Sequence, residues 1–180
     1  MTTVKQDEFL RWCAEGGIEI DPRYAHNWPR NFWFKDDPVE GVFYTRGPQA
    51  AEIESLLTAL LKCSDAEEWF LWAKEPALRF GGPFDLSNDA LAVPATHGAM
   101  LIRHLGPHIQ RAGTTHDDLY IIPDHRQHFF MIDHHDAIFV EFATQSEQQR
   151  FIAAMRHEGI ELPEDLPDET FKRPGWMTGE

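Results

Sequence analysis

Cysteine is scarce in this chain, which has only Cys13 and Cys63 among 180 residues. The two thiols lie fifty residues apart, form no C-x-x-C pair, and fall in segments whose apolar pattern predicts helices. This scarcity excludes a small disulfide-stabilised secreted scaffold. We therefore expect two buried free thiols in a reducing cytoplasm.

Long apolar runs are also missing. The longest uncharged apolar stretch, residues 91–102, is too short to span a bilayer and contains Pro94. The first twelve residues are polar and lack the apolar core of a signal peptide. The sequence thus predicts a cytoplasmic protein without a membrane partner.

Basic residues are outnumbered, with 16 Lys and Arg against 30 Asp and Glu, giving a formal net charge of −14. No basic run exceeds two residues, so we expect no binding to a phosphate backbone. The electrostatic field of this negative charge attracts basic proteins and accelerates their capture. Two alternatives stay open: the acidity serves solubility alone, or the ten histidines discharge the field below pH 6.5 in a pH-responsive module.

Motifs for nucleophilic or phosphate chemistry are absent. The chain has no G-x-S-x-G nucleophile elbow and no G-x-x-x-x-G-K-[ST] loop, and Gly81-Gly82-Pro83 is typical of a turn. His104 and His108 have helical spacing, but Pro107 separates them and no H-E-x-x-H carboxylate is present. No catalytic residue is assigned.

Helices are predicted in the first half of the chain. The first has a Thr3–Gln6 capping box and ends at Gly16-Gly17. The second begins after Gly47-Pro48 and carries leucines at helical spacing. A Ser64–Glu67 capping box predicts a third helix that continues to Pro76 and forms a hairpin with the second. Trp69 and Trp72 leave that helix apolar on nearly all sides, so the tail, another chain or a ligand should cover one face.

The second half predicts an antiparallel meander at about residues 118–143, with strands at 119–122, 129–132 and 138–142. A helix capped by Ser146 and Gln149 and ended by Gly159 follows. Residues 18–46 suit short strands and loops, 79–95 suit a loop, and 97–113 are helix or strand with a break at Gly106-Pro107. The fold class is therefore α+β, with one domain over 1–162 and an acidic, proline-bearing tail over 163–180 that Phe171 and Trp176 could dock.

Histidine and aspartate are concentrated in the meander, in D-H-R-Q-H around Asp124, His125 and His128 and in D-H-H-D at Asp133, His134, His135 and Asp136. Imidazole and carboxylate suit zinc or another transition metal, so a metal-dependent hydrolase with His134 and His135 as ligands is one hypothesis. The two groups should lie at opposite ends of the middle strand, so they should not form one site. Without a metal, D-H-H-D is a polar hairpin tip.

The hypothesis we favour is a non-catalytic, cofactor-free binding protein whose acidic surface recognises a basic protein. In size, charge and predicted architecture the whole chain resembles the small acidic α+β immunity proteins of bacterial toxin–antitoxin and contact-dependent systems. That resemblance implies a basic toxin domain, often a nuclease, as the partner, and it transfers no residue role. The candidate partner-binding residues lie on the meander side: Asp117, Asp118, Asp124, Asp133, Asp136 and Glu141.

Overall fold

A computed structural model of the chain describes residues 1–20, 32–35, 39–44, 50–73, 89–109, 119–132 and 137–160. These ranges contain nine strands: β1 Thr2–Val4, β2 Ile18–Ile20, β3 Phe32–Phe34, β4 Val39–Tyr44, β5 Glu68–Ala73, β6 Ala90–Pro94, β7 Leu119–Pro123, β8 His128–Ile132 and β9 Ala137–Phe142. They also contain four α-helices: α1 Gln6–Glu15, α2 Ala50–Ser64, α3 Gly98–Ile109 and α4 Gln145–His157. The predicted domain boundary at residue 162 and the tail over 163–180 lie outside the described residues.

Seven strands form one antiparallel sheet in the order β1-β6-β5-β7-β8-β9-β4, and β2 pairs with β3 in a separate ribbon. The predicted meander is confirmed as β7-β8-β9, with Leu119 opposite Ile132 and Ile132 opposite Ile138. Together with the helices, this sheet makes the single α+β domain that the sequence predicts.

The sheet has a hydrophobic core on each face. Successive side chains of a strand point to opposite sides, so each strand contributes to both cores. Leu71, Ile121 and Phe130 pack in one core with α2, α3 and α4. Their neighbours point the other way, into a second core with α1 and the β2–β3 ribbon; these are Trp72, Tyr120 and Phe129. Full burial of side chains this large stabilises the fold by about 1.5–3 kcal/mol each.

The prediction of a third helix after Ser64 is wrong, because residues 68–73 form strand β5 in the middle of the sheet. A strand buried on both faces is a continuous apolar run, and such a run does not reveal its period. Ser64 does not cap a helix either. Its hydroxyl donates to the Leu61 carbonyl at 3.0 Å and accepts from Trp69 Nε1 at 3.0 Å. The hairpin of two helices is therefore replaced by a helix followed by a strand.

Two further predictions in the middle of the chain need correction. The end of the predicted 79–95 loop is strand β6, whose residues 90–93 are buried. The segment after His97, predicted as helix or strand, is helix α3, and the predicted break at Gly106-Pro107 is wrong because the helix continues to Ile109. A proline removes one helical hydrogen bond, and here it does so only in the last turn.

The other two predicted capping boxes, Thr3–Gln6 and Ser146–Gln149, are also wrong. Thr3 belongs to β1, and the first helical amide, Gln6 N–H, donates instead to Asp89 Oδ1 at 3.2 Å, while Lys5 Nζ pairs with Asp89 Oδ2 at 2.7 Å. Helix α4 is capped by Thr144, whose hydroxyl accepts the Glu147 N–H at 3.2 Å. The predicted ends of both helices are confirmed, since α1 ends before Gly16-Gly17 and α4 before Gly159.

Arg126 fastens α1 to the turn between β7 and β8. Its Nη1 donates to the Trp12 carbonyl at 2.8 Å, and its guanidinium lies 4.9 Å from the Trp12 ring centroid. The contact depends on Gly16, because a Cβ there would lie 2.4 Å from Arg126 Cδ. This turn carries Asp124 and His125, so α1 helps to fix their position.

Both cysteines are buried and unpaired, as the sequence predicts. None of the helices in the described ranges combines the length and the apolarity that crossing a membrane requires.

Replacing Asp89 tests the long-range cap of α1. We expect Asp89→Ala to lower the free energy of unfolding by about 1 kcal/mol, because it leaves a helical amide without its acceptor. The control Thr3→Ala should change it by less than about 0.5 kcal/mol. Urea unfolding measures both, and an equal loss for the two variants would contradict the assignment.

Candidate functional site

Most of the sequence-predicted site residues lie outside the described residues: Asp117, Asp118, Asp133, His134, His135 and Asp136. The strand ends next to them are described, and Leu119 lies opposite Ile132 at one end of the meander. Asp124 follows β7 at the other end. The length of β8, roughly 15 Å, separates the two ends, as the sequence predicts. In the described part of the chain, no group of three or more His, Cys, Asp or Glu residues could hold a metal ion.

Glu141 is half-buried in β9, and its carboxylate has a structural contact. Its Oε1 accepts the backbone N–H of Phe34 at 2.6 Å. Since Phe34 belongs to the β2–β3 ribbon, this bond holds the ribbon against the main sheet. Its proposed role in partner binding stays a prediction.

Asp124 lies in an acidic end of the sheet, which we define by Asp65, Glu67, Glu68 and Asp124. The backbone fixes this group, because Asp124 N–H donates to the Glu68 carbonyl at 3.0 Å and Ala95 N–H donates to the Glu67 carbonyl at 2.8 Å. Asp65 and Glu67 are exposed, whereas Glu68 and Asp124 are half-buried. The sequence analysis did not single out Asp65, Glu67 or Glu68 as site residues, because it placed the start of a helix there.

A polar junction lies beneath the acidic end and joins α2, β8 and α4. His128 Nδ1 lies 2.9 Å from Glu147 Oε1. Arg150 donates twice to the same carboxylate, at 2.6 and 2.8 Å, and donates once to the Cys63 carbonyl at 3.3 Å. One carboxylate on α4 therefore connects a strand of the sheet to the end of a second helix.

The hydrogen bonds fix the tautomers of both histidines in this junction. His125 Nδ1 accepts the Gln127 N–H at 3.1 Å, so its Nε2 carries the proton and donates to the Ser64 carbonyl at 2.8 Å. His128 donates from Nδ1 to the ionised Glu147, which leaves a lone pair on Nε2. This Nε2 is buried and has no hydrogen-bond partner among the described residues.

Apolar surroundings keep the His128 ring neutral. Its side chain is 0% exposed and packs against the rings of Phe130, Phe142 and Phe151, with centroids 5.1–6.0 Å away. Burial lowers the pKa of His128 to about 4, although the hydrogen bond to Glu147 acts in the opposite direction. Burial would raise the pKa of Glu147, but the bonds from Arg150 and His128 hold it at about 2.

A histidine paired with a carboxylate is the usual pattern of a general base, yet this pair cannot serve as one in the described geometry. A general base must lie within hydrogen-bond reach of the substrate proton, directly or through one water. His128 Nε2 is sealed from solvent by aromatic rings. The contacts of the junction hold α2, β8 and α4 together.

Next to the junction, an open cleft of about 720 Å³ lies between α2, α3 and the start of β5. Trp69 forms its floor and is held by the hydrogen bond from Nε1 to Ser64. Gly98 lies on this ring, since a Cβ there would be 3.3 Å from two of its atoms. The polar lining residues are Thr58, Lys62, Asp65 and Arg103.

Comparison with models of known protein families, with curated proteins and with solved structures gave no significant match for this chain.

The pH dependence of folding tests the sealed imidazole. The unfolded chain protonates this imidazole near pH 6.5 and the folded chain only near pH 4, so stability falls as the pH is lowered through this window. Between pH 7 and pH 5 we expect His128 to account for a loss of about 2 kcal/mol.

Urea unfolding at both pH values measures this loss. We expect His128→Gln to remove that part of the pH dependence, and the exposed His157→Gln to leave it in place. If wild type and His128→Gln lost stability equally on acidification, the low pKa of His128 would be wrong.

Proposed function

We propose that this chain is a non-catalytic binding protein that recognises a basic protein partner, in the manner of the immunity proteins that neutralise toxins. The observation that carries the proposal is the formal net charge of −14 together with the acidic end of the sheet. The proposal includes a cytoplasmic location, which the two buried unpaired thiols favour.

The acidic end is suited to recognition because its charges are carried on a rigid frame. Two backbone hydrogen bonds link the turn after α2 to β6 and to the β7–β8 turn. Within the described ranges, Asp65, Glu67 and Glu68 form no ion pair with a lysine or arginine, so their charge is available to a partner. A fixed patch of one sign steers an oppositely charged protein and sets its orientation.

The polar junction supports the non-catalytic part of the proposal. Its imidazole and carboxylate are already bonded to each other, the carboxylate also accepts from Arg150, and the remaining nitrogen of His128 is sealed from solvent. The acidic side chains of the acidic end lie at or near the surface, whereas the His128–Glu147 pair is already hydrogen-bonded in the interior. The described residues are therefore better suited to binding a partner than to catalysis.

A matched pair of charge variants tests the proposal. One variant alters the acidic end by Asp65→Asn, Glu67→Lys, Glu68→Lys and Asp124→Asn. Asparagine is used at Asp65 because its φ of 54° favours Asn or Asp. The control variant carries Asp7→Lys, Glu8→Lys and Glu15→Lys, all exposed on α1. Both variants change the formal charge from −14 to −8, so only the position of the change differs.

The wild type and both variants are immobilised, exposed to a lysate of the source organism at low salt, and the captured proteins are identified by mass spectrometry. We expect a basic protein to be retained by wild type and control and lost from the acidic-end variant. Its association rate with wild type should fall as salt is added. Capture of no basic protein, or equal capture by all three forms, would overturn the proposal.

A further inference from the structure

The cleft over Trp69 has a feature that the proposed function does not use, which is the cationic side chain of Arg103 at its rim in an otherwise strongly acidic protein. Lys62 and Arg103 are both exposed at this rim, Lys62 is paired with Glu158, and Asp65 is the one acid among the described lining residues. Arg103 forms no ion pair with any described residue. An apolar floor with a cationic rim is complementary to a segment that carries both aromatic and acidic side chains.

The chain itself leaves the described structure beside this cleft. Glu158, just after α4, pairs with the rim residue Lys62 at 2.6 Å, and Ile160 packs against the core that contains Trp69. Twenty residues follow Ile160 in the sequence. At roughly 3.3 Å per extended residue, the first five are enough to cross a distance of about 16 Å.

The composition of residues 161–180 matches the cleft. Acidic residues come first and large apolar residues are interspersed with them: Glu161, Leu162, Glu164, Asp165, Leu166, Asp168, Glu169, Phe171 and Trp176. We propose that the cleft between α2 and α3 is the docking site of residues 161–180 of the same chain, with an apolar side chain over Trp69 and a carboxylate at Arg103.

Because residues 161–180 belong to the same chain as the cleft, weak contacts are sufficient to keep them docked. A short tether supplies an effective concentration in the millimolar range. A contact with an intrinsic dissociation constant of about 0.1 mM would then be closed about nine-tenths of the time, which slows local hydrogen exchange about tenfold. A cleft of this volume is of the size that proteins use for ligands of a few residues or fewer.

Hydrogen exchange of the full chain, followed by mass spectrometry, tests the docking. We expect amides within 161–180 to exchange about tenfold more slowly than in a synthetic peptide of the same sequence. Ala99→Trp fills the cleft and Arg103→Glu reverses its rim, so each should return the segment to the rate of the free peptide.

The controls are Ala153→Trp and Arg156→Glu, which make the same changes at exposed positions of α4 that do not line the cleft. They should leave the protection unchanged. Exchange at the free-peptide rate in wild type, or equal loss in cleft and control variants, would overturn the proposal. Protection that disappears on dilution would overturn it in favour of docking between two copies. None of these outcomes depends on the basic partner, so this inference and the proposed function fail separately.

Discussion

The shared carboxylate of Glu147 is the interaction on which the described arrangement depends. Thr144 caps α4 and so places Glu147 in its first turn, where it accepts from both His128 and Arg150. Arg150 extends the connection to the end of α2 through the Cys63 carbonyl. A half-buried carboxylate that receives two donors remains ionised, and removing either donor would leave its charge incompletely paired.

The end of α2 contacts both of the surfaces for which we propose a function. The Ser64 carbonyl accepts from His125, and the Ser64 hydroxyl accepts from Trp69. The first contact holds the β7–β8 turn, which contributes Asp124 to the acidic end, and the second holds the floor of the cleft. The interior His128–Glu147 pair is thus connected, through Arg150 and the end of α2, to the contacts that hold both surfaces in place.

The meander could be predicted because its strands are short, apolar and separated by turn residues. Strand β5 could not be predicted, because Trp69 and Trp72 are buried on opposite faces of the sheet. The segment that contains them therefore does not alternate between apolar and polar residues. The cap of α1 could not be predicted either, because Asp89 lies 83 residues from Gln6 in the sequence. The acidic end needs the pairing of β5 with β7, which brings Glu68 beside Asp124, and only Asp124 was singled out from the sequence.

NMR of the ¹⁵N-labelled imidazole in the intact chain measures whether His128 is sealed from solvent, as the described junction requires. We predict a neutral ring protonated at Nδ1, with a pKa of about 4. A histidine that titrates near 6.5 instead would be open to solvent. Such a result would contradict the sealed junction and return the His128–Glu147 pair to consideration as a catalytic base.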